Sequence, residues 1–260
     1  MKQALSSTRL RRRENEMAIK RVDNIDQRFY EVDDLKLPSV TSILKVISKP
    51  ALVPWASKMA VQRYTQLLRA NEVGDFGQLM AIERSALDAF EEEAKGAHRD
   101  VMQSAADVGT RVHEYLEALY TESPLPEITA EMAIPLQAYD EWVATSKLNV
   151  LDSERMVYSK QYGYAGTLDV LGTMGDDVVV ADWKTSSGVW DEYALQLAAY
   201  ANAVVEMGLV ARVDKALVIR FDKQGRGKGF EVKEVKDLGR AFDGFLAALN
   251  LSTIMGEKHF

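Results

Sequence analysis

Short apolar runs and long helical stripes alternate along this chain in a definite order. ERMVYS at 154–159, GYAGTLDVL at 163–171 and DDVVVADW at 176–183 are short, rich in β-branched and aromatic residues, and separated by Gly- or Asp-containing turns. They predict three consecutive strands. Upstream, Val108, Val112, Leu116 and Leu119 recur at the three-to-four spacing of a core-facing stripe, which predicts a long helix over roughly 100–120. A second helix is expected around 135–146, after Pro124, Pro126 and Pro135. Downstream the pattern predicts a helix at 190–207, strands at 215–221 and 230–235 around a Gly-rich turn, and a closing helix at 237–251.

The first hundred residues read differently. RFYEVDDLKL at 28–37 alternates weakly around Asp33-Asp34, as a small hairpin does, and Pro38-Ser39 looks like a capped entry to a helical VTSILKVI. A helix over WASKMAVQRYTQLLRA follows, and the pattern stays helical to 120, with Gly74, Gly77 and Gly96 as the expected breaks. The domain plan is therefore an arm at 1–27, a mostly helical lobe at 28–99 and an α/β core at 100–260. Met17-Ala-Ile-Lys-Arg would also serve as an ordinary protein start, so residues 1–16 read as an upstream extension or as a disordered basic arm. An Arg-rich, Ser-containing start also fits a mitochondrial transit peptide, against which Glu14 and Glu16 count.

Composition narrows the chemistry. Among 260 residues there is no cysteine, which excludes disulfides, iron–sulfur clusters and thiolate zinc sites. No apolar run approaches the roughly 18 residues that span a bilayer, so a soluble protein with no membrane partner is expected, in a reducing compartment such as the cytoplasm. The net charge of −7 counts against a nucleic-acid partner. Its distribution counts the other way, because 1–13 and 212–240 are basic on balance while acid gathers in 72–107.

Within VVVADWK, strand alternation puts Val178, Val180, Asp182 and Lys184 on one face and Val179, Ala181 and Trp183 on the other. The tight turn GTMGDD makes the preceding strand antiparallel. A turn centred on Met174-Gly175 sets Asp169 opposite Val180, and a register one pair along sets it opposite Asp182. In both cases Asp169 shares the face of Asp182, at roughly 5–8 Å between β-carbons. Two carboxylates held that close repel unless a proton or cation lies between them. Oxygen ligands in small number suit Mg²⁺ or Mn²⁺. Each residue also has an ordinary reading: Asp-x-Lys triplets are common, and Asp169 could simply pair with Lys184.

Four segments in order, GTRVHEYLEAL at 109–119, GYAGTLDVL at 163–171, VVVADWKTS at 178–186 and YALQLAAYANA at 193–203, resemble the RecB-like branch of the PD-(D/E)XK nucleases, which includes phage exonucleases and mitochondrial genome-maintenance exonucleases. PSVTSIL and LVPWASKMA also look like phage members of that branch, without an assigned role. The resemblance implies an α/β, restriction-endonuclease-like core (helix, three-stranded mixed sheet, helix, strand) and a Mg²⁺- or Mn²⁺-dependent deoxyribonuclease of DNA recombination, repair or processing. Carried over by position, it makes His113, Asp169, Asp182 and the Trp183 main-chain carbonyl metal ligands, and Lys184 the catalytic lysine. Glu154 becomes a secondary ligand candidate whose facing the pattern leaves open. Gln196 and Tyr200, with Thr185 and Ser186 beside the lysine, become DNA-binding or site-bracing residues. Asp replaces the commoner Glu before the lysine, and the four-cysteine cluster of some relatives is missing.

The residues alone favour a packed or exposed helix side chain for His113, beside Gly109, Leu116 and Tyr120, and leave Tyr200 equally a packing residue. The resemblance implies DNA ends as substrate and a recombination or single-strand-annealing protein as partner. An endonuclease of the same fold, or a non-catalytic nucleic-acid-binding module, are the alternatives.

Overall fold

A computed structural model describes residues 19–23, 28–121, 123–223, 225 and 229–256. Its elements run β1 (Ile19–Asp23), β2 (Arg28–Val32), β3 (Leu35–Pro38), α1 (Val40–Ile43, continued by a 3₁₀ turn), α2 (Leu52–Ala70), α3 (Phe76–Ala81), α4 (Arg84–Thr121), α5 (Ala130–Ser146), β4 (Asn149–Ser159), β5 (Tyr164–Met174), β6 (Asp177–Lys184), α6 (Glu192–Glu206), β7 (Lys215–Phe221), β8 (Phe230–Glu234) and α7 (Leu238–Gly256). The fold is mixed α/β, with a five-stranded sheet in the order β4-β5-β6-β7-β8 and a three-stranded sheet β1-β2-β3.

Chain connectivity explains the large sheet. The short links from β4 to β5, β5 to β6 and β7 to β8 give antiparallel pairs, whereas β6 and β7 are parallel. A parallel neighbour needs a crossover of a dozen or more residues, and α6 supplies it. Helices α1, α6 and α7 bury Ile43, Leu197, Tyr200, Ala203 and Phe245 against Val157, Val180, Ala216 and Val218 of the sheet. The alternate residues of β6 and β7 face α5, where Trp183 and Phe221 meet Tyr139 and Trp142 in edge-on ring contacts, the Trp142–Trp183 centroids lying 5.3 Å apart. The small sheet buries Tyr30, Val32 and Leu37 against Tyr158 and Ala165, and the Tyr30 hydroxyl is 2.8 Å from Thr167 Oγ1.

The chain divides into two compact units, residues 1–47 with 112–260, and residues 48–111. The second consists of α2, α3 and the first part of α4, tied by the Arg63–Glu93 ion pair and a capping box in which Asp75 accepts from Gln78 N. Four boundaries differ from the sequence reading, one being that residues 100–111, placed in the α/β core, belong to the smaller unit. Residues 19–23, placed in the arm, form β1 along β2; residues 1–18 and 24–27 lie outside the described residues. Residues 28–47, placed with the helical lobe, pack through Tyr30, Val32, Val40, Ile43 and Leu44 into the larger unit. Gly96 does not break α4, since one internal glycine costs only about 1 kcal/mol in a helix of 38 residues.

PSVTSIL acquires a role in this frame. Ser39 is the buried N-cap of α1, its Oγ accepting from Ser42 N at 3.0 Å, and its backbone bridges to Ala165 of β5. The motif joins the small sheet to the large one.

Candidate metal centre

The β5–β6 ladder runs from Met174↔Asp177 to Val170↔Ala181. Gly175 and Asp176 are thus the turn, with Gly175 at φ 63, where a type II′ hairpin needs its positive φ. One further step along this register sets Asp169 opposite Asp182, the second of the two arrangements the sequence allowed. On the other edge of β5, the pairs Arg155↔Leu168 and Ser153↔Val170 flank Glu154 and Asp169. Glu154, Asp169 and Asp182 therefore form one row across three neighbouring strands, whose backbones are spaced by roughly 4.8 Å.

Glu154 stands in this row with φ 50, inside a strand. The left-handed region costs an L-residue about 1–2 kcal/mol, and such strain persists only where the surroundings impose it. The neighbouring carboxylates are also electrostatically costly. Burial, then the Asp169 charge, pushes the Glu154 carboxyl up to about 8. Burial pushes Asp169 and Asp182 up to about 6, against the pull of Lys184.

His113, in the last turns of α4, comes to the same place. Its Nδ1 lies 3.6 Å from Asp169 Oδ2 and 4.0 Å from Glu154 Oε1. One ligand atom from each of His113, Glu154 and Asp169 lies within 4.8 Å of the other two. Burial, and then the Lys184 charge, lowers the histidine pKa, while a hydrogen bond to the Trp183 main chain opposes the shift. A neutral imidazole is the form that ligates a metal. The Trp183 amide in turn donates to Asp169 Oδ2 at 2.8 Å, which fixes that carboxylate.

Asp182 has partners of its own. It lies on the next strand, beside the His113–Glu154–Asp169 group and not within it. Gln196 Nε2 donates to Oδ1 at 3.0 Å, and the Lys184 ammonium pairs with Oδ2. Burial alone would lower the Lys184 pKa, but Asp182 and Asp169 outweigh it and raise it. Lysine here balances charge that a divalent cation would otherwise balance.

The residues fit such a cation. Three carboxyl groups gather around one buried ammonium, burial raises the pKa of all three, and the donors are oxygens with a single imidazole. His113, Glu154 and Asp169 would hold the ion, with Asp182 and the Trp183 carbonyl beside it. Hard ligands of this kind suit Mg²⁺ or Mn²⁺.

Helix α6 braces the row. Gln196 uses its second amide N–H to reach the Tyr200 hydroxyl at 3.2 Å, and burial, then Asp182, holds that phenol well above its usual pKa. Tyr200 can lie this close only because β5 carries Gly166, where a β-carbon would fall 2.5 Å from Tyr200 Cε1. The reading of the sequence missed Gly166, although a glycine inside a strand signals close approach of another group. Thr185 is buried, and Ser186 Oγ donates to the Gly188 carbonyl at 2.7 Å, closing the turn after β6.

No family model and no curated protein matches this chain. Among solved structures, it is similar to an alkaline exonuclease (LHK-Exo) from Laribacter hongkongensis at 14% identity and TM-score 0.30, over 58% of this chain and 88% of that one. It is also similar to SSO0001 at 13% identity and TM-score 0.29, over 59% and 75% of the two chains. Likeness this distant carries no weight for activity, which has to be read from the site.

Proposed function

We propose that this chain is a Mg²⁺- or Mn²⁺-dependent deoxyribonuclease with a PD-(D/E)XK-type site on a restriction-endonuclease-like core, hydrolysing phosphodiester bonds from DNA ends. The observation that carries this reading is the row Glu154, Asp169 and Asp182 on adjacent strands, with Lys184 at the end of β6 and His113 entering from α4.

When bound, the cation supplies Lewis-acid stabilisation of the charge that develops on the phosphodiester. The protein's residues do the rest. His113, Glu154 and Asp169 hold the position, and the Trp183 amide keeps Asp169 oriented. Asp182, held by Gln196 on one oxygen and paired with Lys184 on the other, would stand beside that ion as a further carboxylate. Lys184, at the end of β6, would orient the attacking water and offset charge in the transition state. Action at ends, and on DNA, rests on the sequence resemblance.

Purified protein incubated with end-labelled linear, nicked and covalently closed circular DNA is the test. Degradation of linear DNA with Mg²⁺ or Mn²⁺, abolished by EDTA, with the closed circle intact, is the expected result. Cutting of the closed circle would make the enzyme an endonuclease. No cleavage of any substrate with either metal would overturn the reading.

A further inference from the structure

The contact that holds Lys184 on its second side has no counterpart in the site as described so far. Lys184 Nζ lies over the ring of Tyr193, 4.9 Å from its centroid, within the range of a cation–π interaction. Tyr193 opens the first turn of α6, three residues before Gln196 and seven before Tyr200, so the three side chains share one helix face. That face meets the end of β6 at two points. Gln196 bonds to Asp182 Oδ1 and is itself bonded to Tyr200. Tyr193 takes the ammonium of the residue two positions along the same strand. Tyr193 is partly buried and packs against the main core, so its ring is anchored.

We infer that Tyr193 is a positioning residue for the catalytic lysine, its ring face holding the Lys184 ammonium at the end of β6. A lysine side chain has four rotatable bonds and, without its carboxylate partner, no other fixed point. An aromatic face suits this purpose better than a second carboxylate would. It attracts the cation without adding negative charge to a site that already has three carboxylates, and it forms no directional bond that the lysine would have to break on moving toward a phosphate. The ring, not the hydroxyl, is the working part. The inference rests on the nuclease reading for its kinetic consequence but not for the contact itself.

Tyr193→Phe and Tyr193→Leu separate ring from hydroxyl, and two readouts separate this inference from the function. The first is NMR of protein carrying ¹³C-labelled lysine, with the Lys184 ε-methylene signal assigned by its disappearance in Lys184→Arg. Ring-current displacement of that signal in wild type and Tyr193→Phe, lost in Tyr193→Leu, is expected whether or not the protein cuts DNA. The second is cleavage of linear DNA with Mn²⁺. Tyr193→Phe should stay within about 3-fold of wild type, and Tyr193→Leu should lose on the order of 10-fold in kcat with KM for DNA unchanged, a loss in the range of one cation–π contact. An undisplaced Lys184 signal in the wild type, equal kcat in wild type and Tyr193→Leu, or equal losses in the Phe and Leu variants would each overturn the inference while leaving an active wild type as support for the nuclease reading. A wild type that cleaves nothing, with the ring-current displacement present, overturns the nuclease reading and retains the contact.

Discussion

Excess charge in the carboxylate row should make the metal-free protein lose stability as the medium becomes alkaline. Glu154 is the group to watch, because its carboxyl, ordinarily near 4.5, is raised to about 8. A carboxyl with a raised folded-state pKa binds its proton more tightly in the folded than in the unfolded chain. Its stabilising contribution is complete below the unfolded pKa and disappears as pH rises through the folded one. Asp169 and Asp182, raised to about 6, have spent most of theirs by neutrality. His113 acts in the opposite sense only at the acid end, since its lowered pKa penalises folding below its usual 6.5. The clean window is therefore pH 6.5 to 9. Ionising Glu154 across that window costs about 2 kcal/mol, at about 1.4 kcal/mol for each pH unit up to its folded pKa. For a chain of this size that corresponds to a fall in Tm of about 4–8 °C. The assay is thermal unfolding in EDTA across the window, repeated with excess Mg²⁺ or Mn²⁺ and with Glu154→Gln. The wild type should fall with pH in EDTA, metal should stabilise increasingly at high pH, and Glu154→Gln should remove most of the EDTA slope. Equal slopes for wild type and Glu154→Gln would refute the reasoning, since general repulsion in an acidic chain is common to both.

Lys184→Ala should lower cleavage by on the order of 10²–10³-fold, the range for losing one group that stabilises transition-state charge, with an unchanged circular dichroism spectrum; full activity would exclude its role. Replacing Asp182 by Ala should likewise abolish cleavage and leave Lys184 without its ion pair, so its thermal stability in EDTA is informative alongside activity. His113→Ala should raise the Mn²⁺ concentration needed for half-maximal activity by at least several-fold, and an unchanged titration would return His113 to packing. Gly166→Ala should destabilise by about 1–3 kcal/mol through overpacking against Tyr200, measured by chemical denaturation; a neutral effect would mean that Tyr200 has room to move.

Strand alternation made the placement of the candidate site legible. Asp169, Asp182 and Lys184 share a face because β-side chains alternate, and the short GTMGDD link allowed only an antiparallel pair. What the pattern left open was a single register step, and Gly175 decides it by occupying the turn position that requires positive φ. The facing of Glu154 was illegible for a physical reason, since alternation presupposes extended backbone and this residue is not extended. Strand β1 was missed because IKRVD is a mostly exposed edge strand with little apolar signal. Helix α5 begins at Ala130, earlier than expected, with Pro135 buried inside it, because tertiary packing of Met132, Leu136 and Trp142 outweighs one lost backbone bond. Tyr193 carried no signal of its own until the placement of α6 set its ring against Lys184.

The backbone at Glu154 has a bearing on what selection for stability alone would do to this molecule. Glycine occupies φ 50 freely and carries no carboxylate into the row, so Glu154→Gly relieves both the conformational and the electrostatic penalty in one substitution. A library screened only for resistance to heat in the absence of metal should therefore drift toward glycine at 154. The same library screened for cleavage should hold the glutamate there, and disagreement between the two screens at one position would show what the site asks of the fold.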